Sequence, residues 1–249
     1  MSLDGRLALV TGAGHRLGRA IALALAEAGA DILVHYRSSA DLARETAQSV
    51  RALGRDADLI AADLSVPADI DELFDTIEGA RGGLDVLVNS AASFESAPIE
   101  DIQAEAWDRV LAVNLRAPFL CIRRAAPLLR ARAQPGAIVN IADLSGLVPW
   151  RGFAHHSVSK AGLVHLTKAA AKELGPRIRV NAVLPGPILP PPGESPDSEE
   201  WRHRGDRLPL GRTGDPADIG SAVVFLAASD YITGEALAVD GGEHLLSGR

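Results

Sequence analysis

LALVTGAGHRLGRAIALALAEAG, Leu7 to Gly29, runs from a short apolar stretch through a glycine-rich turn into a segment with helical spacing. A stretch apolar at every position, Leu7 to Val10, belongs to a strand covered on both faces, as in a parallel sheet. Behind the turn, apolar residues recur at the helical period from Leu17 to Ala28. Gly12, Gly14 and Gly18 precede or open that helix. Glycines there permit a tight turn and let a pyrophosphate approach the helix N-terminus, where unsatisfied amides and the dipole favour an anion. A plain strand-to-helix connection uses glycine too, but the position after the first strand, with a helix behind, favours a cofactor site. Gly12, Gly14, His15, Arg16, Leu17 and Gly18 are the candidates it supplies.

The same alternation continues outward from this stretch. Strand-like runs span Asp31 to His35, Asp58 to Ala61, Leu84 to Val88, Ala137 to Ile141 and Ile178 to Leu184. Helical spacing covers Asp41 to Leu53, Ile70 to Ile77, Ala104 to Leu129 and Ser157 to Leu174. Strands alternating with helices predict an α/β fold, a doubly wound parallel sheet in one domain over residues 1–249, with its ligand crevice beyond the carboxyl ends of the strands.

The second run, DILVHYRSS, ends without the acid that would grip a ribose 2′-hydroxyl and offers Tyr36, Arg37, Ser38 and Ser39. A cation beside hydroxyls suits a 2′-phosphate, so the expected cofactor is NADP(H) rather than NAD(H). Asp63, with Leu64 after the third run, reads equally as an adenine contact and as a helix N-cap. From Pro185 to Trp201 clustered prolines argue against regular helix or interior strand, leaving a surface loop or a lid over the crevice, with residues 187–207 as the expected substrate loop.

Composition excludes several functions. Lys and Arg number 25 against 32 Asp and Glu, a net charge of −7, so no basic field serves nucleic acid or an anionic membrane surface. Cys121 is the only cysteine and cannot form an intrachain disulfide. No His and carboxylate spacing suggests a metal, and His155 and His156 point apart on a helix, so no catalytic metal is expected. MSLDGRLALVTG lacks a signal segment, and no run approaches the roughly 18 apolar residues of a membrane span. A soluble, cytoplasmic, unprocessed protein is expected.

Over nearly its whole length the chain resembles the short-chain dehydrogenase/reductase family, whose fold is Rossmann-type. The landmarks are TGAGHRLG (Thr11 to Gly18), ADLS (Ala62 to Ser65), VNSAA (Val88 to Ala92), VNLRAPF around Asn114 and IVNIADLSG (Ile138 to Gly146). HSVSKAGL (His156 to Leu163), RVNAVLPGPI (Arg179 to Ile188), PLGRTGDPADI (Pro209 to Ile219) and TGEALAVDGG (Thr233 to Gly242) follow in order. Asn89 resembles the family's residue that stabilises the central strand, and the resemblance implies cofactor contacts from Asn89, Ser90 and Ala91, from Lys160, from Pro185 and Gly186 in the turn beside the nicotinamide, and from Ile188. It also implies a homotetramer or homodimer built on Ala104 to Leu129 and on the TGEALAVDGG region.

Arg16, at the family's second glycine position, Phe94 after Ser93, and Asp143, at its catalytic serine position, look like the pteridine reductase branch. There the arginine reaches phosphates and pterin, the phenylalanine stacks the pterin on the nicotinamide, and the aspartate takes part in proton delivery. Arg16, Ser93, Phe94, Asp143 and His156 are thus the expected substrate contacts, for a pterin or another planar heteroaromatic. The family's tyrosine, four residues before its lysine, corresponds to His156 before Lys160. A Lys160 cation disfavours a protonated imidazole, whereas an Asp143 carboxylate favours it and orients the ring. The expected machinery is an Asp143–His156 acid pair, with Lys160 on the ribose and a relay through Asn114. A general carbonyl or ketoacyl reductase and a non-catalytic NADP(H)-binding protein are the alternatives.

Overall fold

A computed structural model describes residues 2–191 and 193–246. Seven strands form one parallel sheet: β1 (Leu7–Val10), β2 (Asp31–Tyr36), β3 (Ala57–Ala61), β4 (Val86–Asn89), β5 (Gly136–Ile141), β6 (Ile178–Pro185) and β7 (Ala236–Val239). Their order across the sheet is β3-β2-β1-β4-β5-β6-β7, and each neighbouring pair is parallel. The chain therefore builds outward from β1 in one direction and from β4 in the other, and the crevice opens where that reversal occurs.

Period-two alternation explains the unbroken apolar run of β1. Ala8 and Val10 enter one core with α1 (Arg16–Glu27), α2 (Ala40–Ala52) and α8 (Pro216–Ala228), where Ile21, Leu25, Val50, Val223 and Leu226 are buried. Leu7 and Leu9 enter the opposite core, built with α3 (Pro67–Arg81), α5 (Ala117–Arg130) and α6 (Ala154–Leu174) around Phe74, Ile77 and Leu129. Each such fully buried side chain contributes about 1.5–3 kcal/mol.

Four sequence expectations need correction. Ala104 to Leu129 is not one helix: α4 (Ala104–Leu111) and α5 are separated by a wide turn, Ala112–Arg116, in which the Ala117 amide donates to the Ala112 carbonyl. Pro118 has no amide for the Asn114 carbonyl four residues back, and its ring crowds that carbonyl, which disfavours regular winding at that point. Asp63 is not an N-cap, because α3 starts two residues beyond Ser65, with Val66 as its cap and Pro67 as a first residue that needs no partner. Pro185 completes β6, and Ser198 caps α7 (Glu199–Asp206) by accepting from the Trp201 amide at 3.0 Å, so the irregular stretch stops before Trp201. Finally, α8 and β7 lie outside the helical and strand runs read from sequence; α8 is started by Asp215, which accepts from the Ala217 amide while its own amide donates to the Asp218 carboxylate. Among the described residues no helix is long and apolar enough to cross a membrane.

Candidate active site

Beyond the carboxyl ends of β1 to β4 lies a cleft of about 740 Å³. Gly12, Gly14, His15, Arg16, Leu17, Gly18, Tyr36, Arg37, Ser38, Asp63, Leu64, Ser90, Ala91 and Ser93 line it, all of them expected from sequence. The turn is built for close approach. Gly12 has φ +68°, with the Ala91 backbone packed where a side chain would stand, and a Cβ on Gly18 would overlap the Gly12 carbonyl. Thr11 Oγ1 accepts from the Ser90 and Ala91 amides at 2.9 and 3.0 Å, fastening the loop after β4 to the end of β1.

His35 was not expected here and holds the turn from below. The Gly12 amide donates to its Nδ1 at 3.0 Å, and its Nε2 donates to the Ala62 carbonyl at 3.1 Å, which fixes a neutral tautomer. Burial lowers its pKa to about 4 against the opposing Ala62 hydrogen bond. A polar residue inside the apolar run DILVHY was the available signal, since a buried polar group needs partners. Asp63 accepts from the Ser65 hydroxyl at 2.7 Å and amide at 2.9 Å, and these bonds, helped by the charge of Arg37, hold its carboxyl below the usual range despite burial. Ser39, Ser65, Ala92, Glu95, Arg109 and Val113 complete the lining. Glu95 and Arg109 form a two-pronged ion pair at 3.0 and 2.7 Å.

Arg16 adopts φ +51°, the only positive value among described non-glycine residues, and its guanidinium donates to the Pro190 carbonyl at 2.8 Å. Arg37 and Ser38 stand exposed on the rim.

The second cluster sits after β5 and in the first turn of α6. Asp143 is the extended residue before the short turn Leu144–Gly146 and accepts from the Ser145 amide at 2.9 Å. His156 Nε2 donates to Asp143 Oδ2 at 2.6 Å. The His156 side chain is 2 % exposed and that of Asp143 15 %, so the carboxylate is the more open member of the pair. Burial would raise the Asp143 pKa, but the His156 hydrogen bond and the Lys160 charge outweigh it and the carboxyl stays low.

His156 Nδ1 lies 3.4 Å from both Asn114 Nδ2 and the Ser93 carbonyl. Asn114, within the wide turn, accepts from the Ser93 amide at 2.7 Å and donates to the Ser93 carbonyl and to Ser159 Oγ at 2.9 and 3.1 Å. Lys160 is one helical turn beyond His156; its buried Nζ donates to the Ile141 carbonyl at 2.8 Å, and burial lowers its pKa against the pull of Asp143. Three aromatic rings surround the imidazole. Phe94 meets it edge-on at 4.8 Å, Trp150 is tilted 17° to it at 6.2 Å, and Phe153 packs on Phe94 at 4.8 Å. Phe94 is 62 % exposed. Trp150 and Phe153 carry no motif that would have marked them in the sequence.

Some expected cofactor residues lie off the cleft lining. Asn89 donates to Asn140 at 2.8 Å, and Asn140 donates to Thr167 at 2.9 Å, a buried chain tying β4, β5 and α6 together. Ile188 is buried in the core, Gly186 closes against Asp240, and Pro185 pairs with Val239. Among the described residues no group of three or more His, Cys, Asp or Glu could hold a metal.

A family model described as Enoyl-(Acyl carrier protein) reductase matches residues 12–244. The chain is 38 % identical over 251 residues to 3beta-hydroxysteroid dehydrogenase 1 of Eggerthella lenta, covering 99 % of this chain and 96 % of the relative. It is 37 % identical over 242 residues to 3-oxoacyl-(acyl-carrier-protein) reductase FabG of Staphylococcus aureus, covering 96 % and 98 %. The crystal structure of angucycline C-6 ketoreductase LanV with bound NADP superposes with a TM-score of 0.88 at 35 % identity, over 98 % of this chain and 97 % of that one. With matches spanning both the glycine turn and the Asp143–His156–Lys160 cluster, the chain belongs to the short-chain dehydrogenase/reductase family.

Proposed function

We propose that this chain is an NADPH-dependent reductase of a C=O or C=N bond that uses the Asp143–His156 pair as its proton source. The observation that carries the reading is the 2.6 Å contact of His156 Nε2 with Asp143, one helical turn from Lys160, in a chain whose glycine turn closes at Gly12 and Gly18 with no room for a side chain. That turn suits a pyrophosphate at Gly12–Gly18, with Arg37 and Ser38 toward a 2′-phosphate and Asp63 and Leu64 toward the adenine. Bound there, NADPH supplies a hydride with its electron pair to the substrate carbon. Asp143 and His156 hold the proton that goes to the oxygen or nitrogen, and Asn114, bonded to Ser93 and Ser159, keeps the Ser93 carbonyl against the other ring nitrogen of His156. Lys160 is the residue available to a ribose. Trp150 and Phe153 exclude water from the imidazole.

An imidazole where the family carries a tyrosine is shorter, and the carboxylate at 2.6 Å orients it. The exposed ring of Phe94 beside the pair favours a flat substrate, and together with Arg16 and Asp143 it supports a pterin or another planar heteroaromatic. A second reading, a general carbonyl or ketoacyl reductase, draws on the names of the ketoacyl and C-6 ketoreductase relatives. A cytoplasmic homodimer or homotetramer, formed through α4 and α5 and the region around β7, belongs to the same proposal, and exposed Phe119 and Tyr231 favour it.

The test is NADPH oxidation followed by absorbance, with a dihydropterin and with a panel of aliphatic and ring ketones. Turnover of the dihydropterin supports the pteridine-type reading, and turnover of ketones alone supports the second. Tight NADPH binding without any turnover would overturn catalysis and leave a cofactor-binding protein.

A further inference from the structure

Arg16 occupies a position that electrostatics disfavours. It is the first residue of α1, where the helix dipole repels a cation, and its backbone adopts a left-handed conformation that glycine takes freely. Its side chain leaves the turn and reaches a segment 174 positions later.

That segment, Leu189 to Ser198, is anchored at both ends. Before it, Ile188 is buried and Pro187 accepts from the Gly214 amide; after it, Trp201 of α7 is buried. In between it bonds within itself, through Glu194 to Pro191 and Ser198 to Glu194, and to the first turn of α7. Among the described residues, the only hydrogen bond that leaves it for another part of the molecule is Arg16 Nη2 to the Pro190 carbonyl at 2.8 Å. One donor of the guanidinium is engaged there, and a guanidinium has five.

We infer that Arg16 is a positioning residue that couples occupancy of the glycine turn to the position of residues 189–198. A phosphate in the turn neutralises the cation at the helix N-terminus and fixes the guanidinium from one side. The Pro190 carbonyl is held from the other, so an anion in the turn steadies the segment expected from sequence to serve as the substrate loop. Coupling of this kind is reciprocal: whatever steadies the segment tightens anion binding by the same factor. The coupling to NADPH rests on the cofactor proposal above, whereas the clasp itself does not.

Amide hydrogen exchange at Glu194, Asp197 and Ser198, whose amides are hydrogen-bonded within the segment, tests both parts. It is followed in the free protein, with NADPH and with inorganic pyrophosphate, for the native chain, Arg16→Gly and Arg16→Lys. Without any anion, Arg16→Gly is expected to exchange about five-fold faster at these amides, as loss of one hydrogen bond predicts. NADPH or pyrophosphate is expected to slow them in the native chain, and to protect only the Gly12–Gly18 amides in Arg16→Gly. Arg16→Lys, which keeps the charge without the fork, is expected to lose the response to anion. Unchanged exchange in free Arg16→Gly overturns the clasp, and equal protection by anion in the native chain and Arg16→Gly overturns the coupling. NADPH titration by its own fluorescence, run on the same samples, separates either result from failure of the cofactor proposal: a pyrophosphate response without NADPH binding would sink only the latter.

Discussion

His156 and Asp143 divide one task between a buried ring and a more open carboxylate. Asp143→Asn keeps the shape and removes the charge that holds the imidazole proton. It is expected to lower kcat by about 10²–10⁴-fold while NADPH affinity, measured separately, changes little. Equal kcat in the two proteins would show that the proton comes from elsewhere. His35 gives a second residue-level expectation. Its folded pKa of about 4 lies below the unfolded value of 6.5, so its contribution is present above pH 6.5 and is lost as pH falls through 4. The loss is on the order of 3 kcal/mol. Urea unfolding between pH 7 and 4 checks it: the acid-side slope should flatten in His35→Asn, and an unaltered slope would assign the loss to other groups. Asp143, His156, Asn114 and Lys160 were legible because their spacing follows a motif. His35, Trp150 and Phe153 were not, because their roles arise from contacts between segments distant in the chain.

The unit of β1, its turn and α1 depends on an approach that only glycine allows. Gly18→Ala would drive a methyl group into the Gly12 carbonyl, at an expected cost of about 1–3 kcal/mol in unfolding free energy. NADPH affinity should fall with it, since the displaced carbonyl shapes the anion turn. Denaturant midpoint and NADPH titration on the one variant check both, and unchanged values would mean that the turn yields without cost. At this scale the sequence was most readable where a pattern is continuous, as in β1, β2 and α1. It failed where one residue overrides a pattern. Pro118 interrupts the periodic run from Ala104 and creates the wide turn that presents Asn114 to His156. Ser198 starts a helix only two residues after Pro196, in a stretch whose prolines pointed to irregular chain. The short β7 gains its place from pairing with β6, not from its own four residues.

For the molecule as a whole, a ligand that binds only the folded chain shifts the unfolding equilibrium by mass action. NADPH at 100 times its dissociation constant should add about 2.7 kcal/mol and raise Tm by roughly 5–10 °C. NADH at the same concentration should do much less, and Arg37→Glu should erase the difference. Equal shifts from both nucleotides in the native chain would remove the case for a 2′-phosphate site. The doubly wound order was legible from strand–helix alternation, but the sheet position of each strand was not, since register is set by packing across segments. That order also bears on descent and recombination. Everything expected to grip the nucleotide's phosphates and adenine lies in the chain up to α3, and the proton-handling residues all follow it. A crossover between homologous genes within α3 would exchange nucleotide preference as a block while inheriting reaction chemistry intact from the other parent.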